Sequence, residues 1–207
     1  MKITILLFIT LLSLANYGLT QTVTIGTQTW TTLNLDVASF RNGDVIPESK
    51  TNEEWEAAGI NEQAAWCYYE NDTSNGNKYG KLYNWYAVND ARGLAPIGWH
   101  IPADEEWNIL TTFLGGEDVA GGNMKTSSGW YDNGNGNNSN GFLALPGASR
   151  KIDGYFVNIG YEGYWLSTSR SKVVRIFGMG AQDMGSSVID RNDKSMLNGF
   201  SVRCVKD

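Results

Sequence analysis

Residues 79–116 constrain this chain more than any other stretch. An aromatic, strand-like run (Tyr79-Gly-Lys-Leu-Tyr-Asn-Trp-Tyr86), a Pro/Gly turn, a short strand around Gly98-Trp-His-Ile-Pro102 and an amphipathic helix follow one another with almost no spacer. A helix entered so directly must fold back onto the strands before it, which makes a core-forming unit. Pro102 stops the strand. Asp104, Glu105 and Glu106 put negative charge at the positive end of the helix, and Trp107, Leu110 and Leu114 form one apolar stripe. Gly115 and Gly116 end it.

The remaining composition says how such a unit is completed. With 42% apolar residues, 8 Trp, 10 Tyr and 7 Phe among 207 residues, one domain can bury one sizeable core. Only 18% of residues are charged and 24 are Gly, a balance that implies tight turns between short strands and excludes an all-helical bundle. A formal charge of −6 with no basic run argues against nucleic acid or an anionic membrane surface as partner.

The first twenty residues read as a signal peptide. Lys2 precedes a nearly all-apolar run, Ile3 to Ala15, and Gly18 and Thr20 provide small residues before a cut ahead of Gln21. About 13 apolar residues fall short of the roughly 20 that span a bilayer, so export is expected, with no membrane span after cleavage and residues 21–207 as a single domain. No Cys stands at the cut site for lipid attachment. In an oxidising compartment the two cysteines, Cys67 and Cys204, favour one disulfide closing a loop of about 138 residues, worth roughly 4 to 5 kcal/mol. The competing reading is two buried free thiols. Two distant Cys and one His cannot supply the four ligands of a structural zinc centre, and neither a metal nor a cofactor is expected.

Taken in order, Thr22–Ile25 and the stretch from Gln28 predict two short strands around Gly26, and Thr51–Gly59 predicts a capped helix. Residues 64–69 have strand composition. After Gly116 the chain becomes loop-rich, above all at 129–141, and short strands are expected at 142–145, 154–158, 164–168, 173–177, 186–190 and 199–205. The fold class is therefore α+β, with two short helices, mainly antiparallel short strands and long loops.

Several segments resemble a known family. Ile25-Gly-Thr-Gln-Thr-Trp30 with Asn34-Leu35, the 79–86 run, Gly98-Trp-His-Ile-Pro102 with Glu106-Trp107, Gly163-Tyr-Trp165 with Ser167-Thr168, and Gly199-Phe-Ser-Val-Arg-Cys-Val205 are similar to the Fibrobacter succinogenes major paralogous domain, in the family's order and across nearly all of residues 22–207. The resemblance implies an exported protein of Bacteroidetes- or Fibrobacter-like bacteria and a C-type-lectin-like fold, related also to formylglycine-generating enzymes. It carries no activity with it. Two departures stand out: Ala95-Pro96 replaces the Cys-Pro of many relatives, and Ala103 replaces the Ser or Thr that often caps the helix, at a cost of about 1 kcal/mol. The Glu-Pro-Asn and Trp-Asn-Asp motifs of calcium-dependent sugar binders are absent.

No catalytic constellation emerges. His100, the sole His, sits between Trp99 and Ile101 and reads as a packed or hydrogen-bonded strand residue. Ser169-Arg-Ser-Lys172 matches Ser-x-x-Lys without its companion motifs, and the Gly-rich segments lack the spacing of a phosphate cradle. What the chain does offer is the loop 129–141, where Trp130 and Tyr131 adjoin Asp132, Asn133 and Asn135, an aromatic face beside amides that suits sugar stacking. The alternative is that Trp130 plugs the core and the loop is only a turn. The expected function is a non-catalytic surface or secreted binding module for a glycan or surface protein. An enzyme of formylglycine-generating-like or glycoside hydrolase type is the alternative.

Overall fold

The computed structural model describes residues 21–170, 172–177 and 188–207; the expected signal peptide and the first part of the strand expected at 186–190 lie outside the described residues. In chain order the elements are β1 (Thr22–Ile25), β2 (Gln28–Thr31), α1 (Asn52–Ile60), β3 (Trp66–Cys67), α2 (Thr73–Tyr79), β4 (Leu82–Tyr83), α3 (Trp85–Val88), β5 (Trp99–His100), α4 (Asp104–Phe113), α5 (Glu117–Met124), β6 (Ser149–Arg150), β7 (Phe156–Val157), β8 (Glu162–Leu166), β9 (Lys172–Phe177), β10 (Ile189–Asp193) and β11 (Val205–Lys206).

The class is α+β, as the sequence implies. The described residues form four small antiparallel sheets: β1-β2-β11-β5, β10-β9-β8, β3-β4 and β6-β7. Residues 199–201 stitch three of the sheets together. Gly199 bridges Arg150 of β6, Phe200 bridges Tyr83 of β4, and Ser201 bridges Trp165 of β8. Strands of two residues bury little alone, so this segment and the side chains it carries hold the layers together. Among the described residues no helix is long and apolar enough to cross a membrane.

The organising unit folds as its pattern dictates. Trp107 and Leu110 of α4 are fully buried against Trp30 of β2, Phe142 and Trp165 of β8. The Trp30 and Trp107 rings lie 4.6 Å apart, and Phe142 meets Trp30, Trp107 and Trp165 edge-on at 5.7, 6.0 and 6.2 Å. Such offset and edge-to-face contacts suit the ring quadrupoles. The helix start departs from the expected weak cap. Glu106 accepts from the Ala103 N–H at 2.9 Å, and the Asp104 N–H donates to Ser169 Oγ at 3.0 Å, so the turn after β8 supplies the capping hydroxyl that Ala103 lacks. In α1, by contrast, the cap is local: Thr51 Oγ1 accepts from Glu54 N, and Glu54 accepts from Thr51 N, each at 3.2 Å.

The structure corrects three expectations of secondary structure. Five α-helices are present among the described residues, not two. Residues 73–79 and 117–124 are helical despite Gly and Asn, because Asp72 caps the first through Ser74 N and tertiary packing buries Ala120, Gly121 and Met124 of the second. Second, the strand-like run 79–86 is a strand of only two residues followed by a helical turn, where buried Asn84 accepts from both Ala87 N and Ala65 N. Finally, residues 142–145 form no strand. Leu143 has φ 58°, outside the β region, and the carbonyls of Phe142 and Leu143 turn to the Arg203 guanidinium instead of to a ladder partner.

The expected disulfide is absent as well. Cys67 and Cys204 are free and buried in different apolar clusters, Cys67 among Trp55, Ala65, Leu82 and Ala148, and Cys204 among Leu35, Tyr83, Phe200 and Val202. Each thiol is packed as a small hydrophobe, and burial pushes both up to about 12, far from the thiolate that oxidation requires.

Cations buried in the interior tie the loops down. Arg150 donates to the carbonyls of Ser49, Thr51 and Gly154 at 2.7–2.9 Å, between the rings of Trp55 and Phe156. Arg203 donates to the carbonyls of Thr31, Phe142 and Leu143 and to Asn34 Oδ1 at 2.7–2.9 Å. In a chain with few long strands, many loop carbonyls are buried without ladder partners, and a five-donor guanidinium satisfies several at once.

Candidate functional site

The loop 125–141 is built outward from a buried lysine. Lys125 follows α5, pairs with Ala144 in a parallel bridge, and directs its ammonium under the Trp130 ring, 5.0 Å from its centroid, to donate to the Gly134 carbonyl. Burial pulls its pKa down to about 8. Around it the backbone closes on itself and on its neighbours: Thr126 N to Ala144 O, Gly136 N to Thr126 O, and Asn137 N to Gly122 O, all at 3.0 Å.

Trp130 is the plug of this loop. It is 3% exposed, and its indole N–H is shared between Thr126 Oγ1 and Ala144 O, each at 3.1 Å. The stacking role assigned to Trp130 is therefore corrected: its face is covered by protein, and a buried indole with its N–H satisfied is a core residue. Asn135 serves the same packing, since its Oδ1 accepts from Trp130 N at 3.0 Å.

The next three residues point the other way. Gly134 N donates to Tyr131 O at 2.9 Å, and Asp132 and Asn133 have φ 53° and 59°, which makes 131–134 a turn with both central residues left-handed, the conformation Asp and Asn tolerate best. Asp132 and Asn133 are exposed at its tip. Tyr131 is 54% exposed, and its amide is anchored to Gly160 O at 2.9 Å.

Its partner is Tyr161, 42% exposed, which lies ring edge to ring face at 5.2 Å and 81°. Gly160 makes this possible. A Cβ there would come within 2.5 Å of the Tyr131 ring, and its φ of 81° is one that residues with a side chain rarely adopt. Tyr161 escaped the sequence reading because thirty residues separate it from Tyr131 and nothing local marks it as exposed.

Behind the pair stands a buried polar network. Glu162, next to Tyr161, is 4% exposed and accepts from Tyr164 Oη and Asn158 Nδ2, both at 2.5 Å, and from Arg175. Burial alone would raise its pKa, but Tyr164, Arg175 and Asn158 together outweigh it and hold the carboxylate below its usual range. The network fixes the start of β8, which Tyr161 directly precedes.

His100 is a hydrogen-bonded residue, as expected of it. Its Nδ1 lies 2.8 Å from Asp207 Oδ1 and its Nε2 2.7 Å from Glu106 Oε1, so both ring nitrogens are engaged. Ser169, the start of the Ser-x-x-Lys match, accepts from the α4 terminus and is thereby explained as a cap. Among the described residues no group of three or more His, Cys, Asp or Glu is placed to hold a metal ion.

Comparison with known proteins adds a family. No curated protein and no solved structure matches the chain. The model of the Fibrobacter succinogenes major domain matches residues 23–206, nearly the whole described chain, and the protein belongs to that family.

Proposed function

We propose that this chain is an exported, non-catalytic binding module of the cell surface or the secreted fraction, with a C-type-lectin-like fold, and that it takes carbohydrate at the Tyr131–Tyr161 corner. The observation that carries the reading is the exposed, edge-to-face pair made by Tyr131, on a loop pinned by Lys125, Trp130 and Gly160, and Tyr161, just before β8. A sugar presents an apolar face and a rim of hydroxyls. The tyrosine faces match the first, and the phenol hydroxyls with Asp132 and Asn133 at the turn tip match the second. A shallow, two-ring surface gives weak binding, about micromolar or weaker. A surface protein is the other partner class such a corner serves.

The test is a glycan array combined with an activity screen on residues 21–207, wild type against the Tyr131→Ala/Tyr161→Ala double variant. The expected result is glycan binding by the wild type that the double variant loses, with melting temperatures within about 2 °C because both rings are exposed. Unchanged glycan binding by the double variant would move the site elsewhere. Turnover of a glycoside or of a cysteine-containing peptide would replace the reading with the enzymatic one.

A further inference from the structure

The arrangement around His100 asks for a particular protonation state. A neutral imidazole carries one N–H and one lone pair, so it donates to one carboxylate and sets a lone pair against the other; only the imidazolium donates to both. With Asp207 at 2.8 Å on Nδ1 and Glu106 at 2.7 Å on Nε2, the two-sided grip exists only while the ring is charged.

The three residues belong to three parts of the fold. His100 lies on β5, the two-residue edge strand of the four-stranded sheet, held to β11 by the pairings Val205 with His100 and Lys206 with Trp99. Glu106 lies in the first turn of α4, where its other oxygen caps Ala103 N, and Gln28 Nε2 on β2 donates to its backbone carbonyl. Asp207 follows β11, with its amide bonded to Gly98 O at 3.2 Å. The charged groups that act on the ring are these two carboxylates. Nearby, Lys206 lies across the ladder from Trp99, and Asp104 on α4 is engaged by Arg191 of β10 at 3.6 Å.

We propose that Glu106, His100 and Asp207 form a proton-operated clip that fastens the β5 edge to α4 and to the end of β11 while His100 is charged, and releases one arm when it becomes neutral. The pKa of His100 moves in the matching direction. Burial lowers it, but the hydrogen bonds and charges of Glu106 and Asp207 outweigh burial and raise it. The sign follows. A folded pKa raised above the unfolded one means that the clip's contribution is complete below about pH 6.5 and is lost as pH rises through the folded value. The clip is half exposed, so its effect is small, and it tightens on acidification.

Because His100 is the sole histidine, its ring nitrogens can be followed by NMR without assignment ambiguity. The experiment titrates residues 21–207 from about pH 5 to 9 by imidazole 15N shifts and, in parallel, measures amide exchange at Asp207 corrected for the intrinsic pH dependence. The expected result is a midpoint above about 6.5. Protection at Asp207 should fall by roughly two- to fivefold as pH passes that midpoint, and the fall should be absent in His100→Gln. A midpoint at or below about 6.5, or the same loss of protection in His100→Gln, would overturn the clip. Should His100→Gln fail to fold, Glu106→Gln serves instead: the midpoint must drop, and an unmoved midpoint refutes the proposal.

Discussion

Replacing Trp107 with Ala is expected to destabilise the domain by about 3 to 5 kcal/mol, a drop of roughly 6 to 20 °C in melting temperature for a domain of this size. The ring is fully buried at the meeting point of β2, α4, β8 and the 142 segment, touching Trp30, Phe142 and Trp165. Interiors are close-packed, and three large rings fixed by other elements cannot collapse into the space that an indole leaves. Glu105→Gln on the same helix should change stability little, because an exposed charge in a first turn contributes only tenths of a kcal/mol. Paired chemical-denaturation curves measure both. A Trp107→Ala protein within about 1 kcal/mol of wild type would mean that the four-ring cluster does not organise the core.

Arg203→Met is expected to cost as much, although it removes no ion pair. Among the described residues no carboxylate pairs with Arg203; its donors go to three backbone carbonyls and one amide oxygen, and its plane lies over Phe142 at 4.7 Å. Burial pulls its pKa down, yet the group remains a cation at neutral pH. Methionine fills much of the volume but leaves those acceptors dry, at about 1 to 3 kcal/mol for each that finds no water, so a total of about 3 to 5 kcal/mol is expected. Leu143 compounds the loss, since its left-handed backbone is held by Arg203 at its carbonyl and by Asn138 Oδ1 at its amide, 2.9 Å each. Arg203→Lys should recover only part of the stability, because an ammonium cannot reproduce the fork. Urea midpoints for the two variants decide it, and a Met variant equal to wild type would show that these carbonyls are satisfied by water.

How far the sequence reaches is visible in these two residues. Trp107 was legible because helical periodicity, a proline stop, acidic residues in the first turn and a double glycine all mark the same element, and local signals that agree are dependable. The capped helix that starts at Thr51 was legible for the same reason. Arg203 carried no local signal. Its partners at 31, 34, 142 and 143 are distant in sequence, and nothing about an arginine in a strand-like run says that its guanidinium will face inward to carbonyls. Lys125 and Arg150 were hidden likewise.

The candidate site divides in the same way. Loop 129–141 stood out by composition, but composition could not say which of two adjacent aromatics faces in. The Trp130 indole N–H finds Thr126 and Ala144 inside, while Tyr131 finds Tyr161 outside. Tyr161 required the fold. The disulfide expectation rested on cysteine count and an expected oxidising compartment, and the packing of the two thiols in separate clusters is a three-dimensional fact.

Native-state hydrogen exchange across residues 126–141 tests most directly whether this loop is the braced platform that recognition requires. The amides of Tyr131, Gly134 and Gly136, bonded to Gly160 O, Tyr131 O and Thr126 O, are the reporters. If Lys125 and Trp130 hold the loop from beneath, these three amides exchange far more slowly than in an unfolded chain, and Lys125→Met speeds them while the amides of α1 are unaffected. Exchange of all three at the unfolded rate in the wild-type protein would contradict the account, because a loop that opens freely cannot hold Tyr131 against Tyr161.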